Sequence, residues 1–198
     1  MAVDIAVAVG DPAPVEFASY DKAWPDRFAR CARLLHNALG ECAVRVDHIG
    51  STAVPGLPGR PQLDIQVSVA EPEAEEEYRG ALEQLGFTLW VREADHRVFR
   101  AGAGVLRVPP IRFETRLYVC RSGGVLEYDQ LLLVQYLTND AGQRDRYAAL
   151  KRGLAREFRN DPDGYADRKR LFLREIARQA HRGHVAVYGM DGMESWPA

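Results

Sequence analysis

Between two stretches that read as β-strands lies Gly50-Ser51-Thr52-Ala53-Val54-Pro55-Gly56-Leu57-Pro58-Gly59-Arg60-Pro61. This run holds too much Gly and Pro for a regular element. Val54 and Leu57 nevertheless give it apolar anchors and room for a short helix. The strand before it spans 43–49, AVRVDHI. The strand after it spans Leu63–Val69, where Leu63, Ile65, Val67 and Val69 alternate with Asp64, Gln66 and Ser68. Such alternation gives one apolar face and one polar face. A strand that feeds a Gly-Ser turn opening a short helix presents backbone N–H groups and a hydroxyl to an anion. Asp64 then stands on the returning strand. A carboxylate facing a phosphate-binding turn is one way to hold Mg²⁺ against a nucleoside triphosphate. Asp64 and Gln66, two apart on the polar face, are expected to form the floor of a site. The competing reading is an ordinary solvated strand face.

The flanking sequence supplies the rest of the fold. Helical spacing begins near Asp21 and is carried by Phe28, Cys31, Ala32, Leu35, Ala38 and Leu39, with Pro25 in the first turn and Gly40 as the stop. Glu71 to Leu85 reads as a second helix whose acidic N-terminus matches the helix dipole. Phe87–Val91 and His96–Ala101 read as a hairpin, and Thr115–Cys120 as a further strand. Helices are expected near 125–138, 141–159 and 163–182, followed by an irregular tail. The order predicts an α+β fold: a mixed or mostly antiparallel sheet flanked by helices, with a C-terminal helical cluster. One domain over 15–182, with irregular termini at 1–14 and 183–198, accounts for the 198 residues.

Charge and composition exclude some functions. Lys and Arg number 26 against 28 Asp and Glu, a net charge of −2, which is a poor basis for a dedicated nucleic-acid binder. No apolar run is long enough to span a bilayer, and the N-terminus carries Asp4 without a Lys or Arg, so neither a membrane partner nor a secretory leader is expected. Three scattered cysteines suggest neither a disulfide framework nor a zinc site. A cytoplasmic protein is the expectation. Residues 144–174 hold ten cationic and five anionic side chains, a basic lobe suited to phosphates or carboxylates. Within it Tyr147 and Lys151, and again Tyr165 and Lys169, sit four apart on a helical face. Packed tyrosines with snorkelling lysines are the plainer account of these pairs.

The segment Asp47-His48-Ile49-Gly50-Ser51-Thr52-Ala53-Val54-Pro55-Gly56-Leu57, with Arg60-Pro61 and Asp64-Ile65, closely resembles the GrpB family, small proteins with a nucleotidyltransferase-like fold. Tyr20-Asp21, Trp24-Pro25 and Phe28 resemble that family's N-terminal signature. Tyr136-Leu137, Tyr147-Ala148-Ala149-Leu150-Lys151, and Tyr165 with Lys169 resemble its C-terminal helices. The likeness covers about residues 15–180.

The resemblance implies a triphosphate on the Gly50-Ser51 turn, flanked by His48, Thr52 and Arg60, with Asp64 as the first metal-binding carboxylate for Mg²⁺. It implies transfer of a nucleotidyl group to a small, anionic acceptor held by Tyr147, Lys151, Tyr165 and Lys169. Two departures weaken it. Gln66 stands where the superfamily has a second carboxylate, and an amide brings one oxygen and no charge. Where many relatives carry a His-x-His-like stretch, this chain has Thr115-Arg116-Leu117-Tyr118-Val119. There Arg116 can bind an oxyanion bidentately and Tyr118 can stack or hydrogen-bond. A transferase or ligase-like enzyme that uses the cleft without a nucleotide, or a non-catalytic binding protein, are the competing expectations. His48 is expected to brace the turn's backbone rather than react.

Overall fold

The alternation along Gln62–Val69 does set the core. In the computed structural model, which describes residues 17–102 and 114–188, this strand (β2) lies second in a five-stranded mixed sheet. The other strands are β1 (Arg45–Ile49), β3 (Thr88–Arg92), β4 (His96–Ala101) and β5 (Glu114–Arg121), and the order is β1-β2-β5-β4-β3. Only the β2–β5 pair is parallel; β1–β2, β4–β5 and β3–β4 are antiparallel. The expected α+β class is what is found. The expected irregular N-terminus at 1–14, the loop before Glu114 and the tail after 188 lie outside the described residues.

Leu63, Ile65, Val67 and Val69 join Phe99, Leu117 and Val119 in one apolar layer. Helix α1 (Trp24–Leu39) and the short α2 (Arg79–Gln84) close that layer, placing Cys31, Leu35, Leu39 and Leu82 against it. Pro25 falls in the first turn of α1, and Gly40 stops it at φ +55°, a conformation that glycine adopts without strain.

The opposite face of the sheet is not open, contrary to the expectation of a free polar strand face. Helix α3 (Val125–Asn139) lies on it, with α4 (Ala141–Glu157) and α5 (Pro162–Tyr188) packed behind. Alternation reports that two faces differ; it does not report what covers the polar one. Here α3 brings its own polar groups, and Ser68 donates to buried Glu127 at 2.6 Å. A second apolar cluster combines Val54 and Leu57 of the Gly/Pro-rich segment with Leu133, Leu137, Tyr147, Ala148 and Ile176 of the three helices. Those two side chains therefore dock the Gly-Ser turn between sheet and helices. Asp140 caps α4 by accepting from the Gln143 amide at 2.9 Å. Helix α5 outruns its expected end and continues through Gly183, a residue a helix tolerates at a cost of about 1 kcal/mol. His181, seven residues before that end, shares a hydrogen bond with Asp129 at 2.6 Å. Among the described residues no helix is long and apolar enough to cross a membrane.

The expected helix over 71–85 is shorter. Glu75–Glu77 forms a 3-10 turn and the α-helix begins only at Arg79. The cause is non-local. Arg92 and Arg97, cross-strand neighbours on β3 and β4, both donate to Glu75 Oε1, at 2.8 and 2.7 Å. The hydrogen bond from Arg92, with Arg97 beside it, holds the Glu75 carboxyl down to about 2, against 4.5 ordinarily. A carboxyl lowered on folding adds stability above its unfolded value, and that contribution fades as pH drops toward the folded value. Glu75→Gln is therefore expected to cost about 2 kcal/mol at pH 7, because two guanidinium groups lose their shared acceptor. Urea unfolding should show the wild-type advantage shrinking between pH 4.5 and about 2.

Candidate functional site

The chain leaves β1 at Ile49 and enters Gly50 at φ +71°, ψ −166°. That backbone region belongs almost entirely to glycine. A Cβ on Gly50 would lie 2.5 Å from Asp64 Oδ2, so the carboxylate rests directly against the turn. The Gly-Ser bend and the aspartate thus converge, and Ser51–Ala53 follows as one 3-10 turn.

Lys151 reaches the same place from α4. Only 2% exposed, it donates from Nζ to Ser51 Oγ at 3.0 Å and to the Pro58 carbonyl at 2.6 Å. Its ammonium lies 4.4 Å from the centroid of the Tyr147 ring. Burial drives its pKa well below that of a free lysine, and neighbouring Lys169 adds to the shift. Lys151 is therefore a positioning group that fixes both ends of the Gly/Pro-rich segment. The chain is fastened again where Ala18 and Gly59 exchange backbone hydrogen bonds at 2.9 and 3.0 Å.

From α5 come Tyr165 and Lys169, the ammonium 5.7 Å from the phenol ring centroid. Burial lowers Lys169 to about 8 and raises the Tyr165 phenol to about 12. Burial also raises the Asp64 carboxyl, while Arg116, the hydrogen bond from Gln62 Nε2 at 2.7 Å, Lys169 and Arg60 pull it back. Arg60 itself pairs with Glu114 at 3.3 Å. One partly buried carboxylate thus stands among three cations, with a lysine-braced hydroxyl beside it.

The structure separates the remaining expected residues. Burial beneath α3 leaves Gln66 with no exposure, and its side-chain nitrogen and oxygen have no partner among the described residues. Tyr118, 4% exposed, packs with Ile49 and Val98. His48 points to the other face of the sheet and stacks on Phe28, ring centroids 4.8 Å apart. It bonds the Thr52 hydroxyl at 2.9 Å, not the turn's backbone as expected, because strand parity turns it toward α1. Burial lowers it to about 4, so it is neutral at pH 7. Thr52 is itself buried in that contact. Arg45 and Asp47 form an ion pair at 2.9 Å away from the turn.

The donor set does not fit a metal ion held by the protein alone. Among the described residues no group of three acidic, histidine or cysteine side chains lies together. Asp64 is one carboxylate, and cations already surround it. The sequence reading missed Trp90 and Arg100. Both lie on the Asp64 face, and locating them needs the β4–β5 register, which no local pattern carries.

A family profile described as GrpB protein matches residues 14–179. A UPF0157 protein from Halalkalibacterium halodurans is 34% identical over 183 residues, covering 88% of this chain and 89% of that one. The crystal structure of the conserved protein GrpB from Enterococcus faecalis superposes with a TM-score of 0.73 at 25% identity, over 85% of this chain and 99% of that one. The fold also resembles Cid1, a structure described for its RNA terminal uridylyl transferase activity, with a TM-score of 0.50 at 16% identity. That likeness covers 68% of this chain but 40% of Cid1, and concerns the fold alone.

Proposed function

The chain belongs to the GrpB family, and from that premise we propose that its cleft binds a nucleoside triphosphate and transfers a nucleotidyl group to, or otherwise activates, a small anionic acceptor. One observation carries the reading: Lys151 is buried with its ammonium on Ser51, in a turn whose glycine touches Asp64. A buried amine that braces a hydroxyl at a glycine bend is costly unless the bend must be held in one shape. Ser51 and the turn's amides would hold phosphate oxygens, and Lys169 and Arg60 would neutralise them.

In the reaction, a nucleophilic atom of the acceptor attacks the α-phosphorus. A bond to phosphorus forms as the bond to the bridging oxygen breaks, and pyrophosphate leaves with that electron pair. A proton on the acceptor would pass to Asp64, whose raised pKa suits it to accept one. The family resemblance also raises the expectation of Mg²⁺, for which Asp64 alone, among its cations, is an incomplete ligand set.

Thermal denaturation with each of the common nucleoside triphosphates, with and without Mg²⁺, tests the reading. A rise in Tm with at least one triphosphate, lost in Asp64→Asn or Lys169→Met, is expected. No rise under either condition overturns it. The lone carboxylate and buried Gln66 would then favour the second reading, a transferase that works without a nucleotide.

Lys169 adds a pH signature. A bound anion raises the pKa of a neighbouring ammonium, so binding takes up a proton above the free value of about 8. Affinity should fall through that pH, by roughly tenfold between pH 7 and 9.5. Titration calorimetry in two buffers of different ionisation enthalpy should register the uptake, and Lys169→Met should abolish it.

A further inference from the structure

Ser51 Oγ and Lys151 Nζ lie 3.0 Å apart, the reach of a nucleophile and its base. The amine is shut away from water: Lys151 is 2% exposed, and the rings of Tyr147 and Phe17 stand 4.4 and 5.6 Å from it. The serine is half-buried, so part of it still faces outward. Its side chain is also held in place. A Cβ on Gly59 would fall 2.9 Å from Ser51 Cβ, so the Gly59 backbone backs it, and the Tyr147 phenol shares a hydrogen bond with the hydroxyl. The serine sits where a strand turns sharply into a helical turn, with Gly50 taking the strained position before it.

An ammonium only donates, but a free amine carries a lone pair. In that form Nζ keeps a proton for the Pro58 carbonyl, 2.6 Å away, and turns the lone pair to the Ser51 hydroxyl. Burial and the charge of Lys169 both favour the free amine at Lys151. Lys169 itself, lowered to about 8, keeps its charge at pH 7. One lysine is thus a base while its neighbour remains a cation.

We propose that Ser51 is a nucleophile served by Lys151 as general base, and that the pair carries out acyl transfer from a negatively charged ester or thioester. This activity goes beyond nucleotide binding and stands whether or not a triphosphate enters the cleft. Lys151 takes the hydroxyl proton as Ser51 Oγ bonds to the carbonyl carbon. The bond from that carbon to the leaving oxygen or sulfur then breaks, and the leaving group departs with the electron pair and the proton from Lys151. Water or an amine resolves the acyl-serine by the same route. Lys151 takes its proton, it bonds to the acyl carbon, and Ser51 Oγ leaves and recovers the proton. Lys169 supplies the positive charge that the carbonyl oxyanion and a substrate carboxylate need nearby.

Mono-4-nitrophenyl succinate is the probe, with uncharged 4-nitrophenyl acetate beside it, followed by nitrophenolate release and peptide mass spectrometry. A succinyl group on Ser51 is expected, formed about tenfold faster than the acetyl group. Lys151→Met should slow acylation about 10²- to 10⁴-fold, and Lys169→Met should remove the preference for the charged ester. On the unaltered protein the rate should climb with pH through a value well under the 10.5 of a free lysine, a result that needs no variant to fold. Acylation of lysines in place of Ser51, an undiminished rate in folded Lys151→Met, or an inflection near 10.5 overturns the proposal. Equal rates for the two esters overturn the charged substrate class. Triphosphate stabilisation measured on the same samples keeps the two ideas apart. No acyl-serine with that stabilisation intact removes this inference alone. Acyl-serine without any triphosphate effect removes the nucleotide reading and leaves the serine–lysine pair.

Discussion

Gly50→Ala is expected to lower Tm by about 10 °C and to abolish stabilisation by any triphosphate. Two separate costs add. The backbone at φ +71°, ψ −166° costs a non-glycine residue about 1–3 kcal/mol. The new methyl carbon would also sit 2.5 Å from Asp64 Oδ2, so the carboxylate must move. At roughly 2–4 °C per kcal/mol for a chain of this size, about 3 kcal/mol gives the stated shift. The double variant with Asp64→Ala separates the causes. Relief of the collision should return about 1 kcal/mol or more as coupling between the two sites, while the backbone cost stays. Strict additivity of the two substitutions would show that the turn and the aspartate do not touch.

Lys151→Met should uncouple stability from binding. Methionine matches the length of the lysine stem and suits the apolar ring of Tyr147 beside it. It removes the penalty of burying an amine, which is why the lysine's pKa is so depressed. It also leaves Ser51 Oγ and the Pro58 carbonyl without their donor. An unpaired carbonyl costs about 1–3 kcal/mol, so the two effects nearly offset and the net change should stay within about 2 kcal/mol. Triphosphate affinity should fall on the order of 10²-fold, because the bend is no longer held in place. Lys151→Arg should not restore it, since a planar fork cannot replace a compact ammonium between Ser51 and Pro58. Urea unfolding and calorimetric titration read the two quantities separately.

The Gly50–Asp64 part of the candidate site was legible in the sequence, and the part around Trp90 was not. Gly50, Ser51 and Asp64 declare themselves because a glycine turn and an alternating strand are local patterns. Even the approach of Lys151 and Lys169 follows from helical spacing once the helices are known to fold back on the turn. Gln66 and Tyr118 were placed on the correct face but at the wrong depth, because α3 covers them and parity says nothing about cover. The Glu75 turn failed for a related reason: its partners Arg92 and Arg97 come from a hairpin beyond it. Trp90 and Arg100 carry no local signal. Their meeting with Arg116 depends on a register and on one bulged residue.

That bulged residue has a consequence for how such a chain can diversify. Because the pairing skips Trp90, deleting that one residue would restore an unbroken ladder, with Val91 still opposite Val98 and Arg92 still opposite Arg97. Arg92 would keep its reach to Glu75 beside Arg97, and the indole that packs with Val91 would be lost. The bend at Gly50 follows β1, at the opposite edge of the sheet, and would be untouched. A single length change at one edge can therefore remodel the surface beside Trp90 while the contact between Gly50 and Asp64 stays in place.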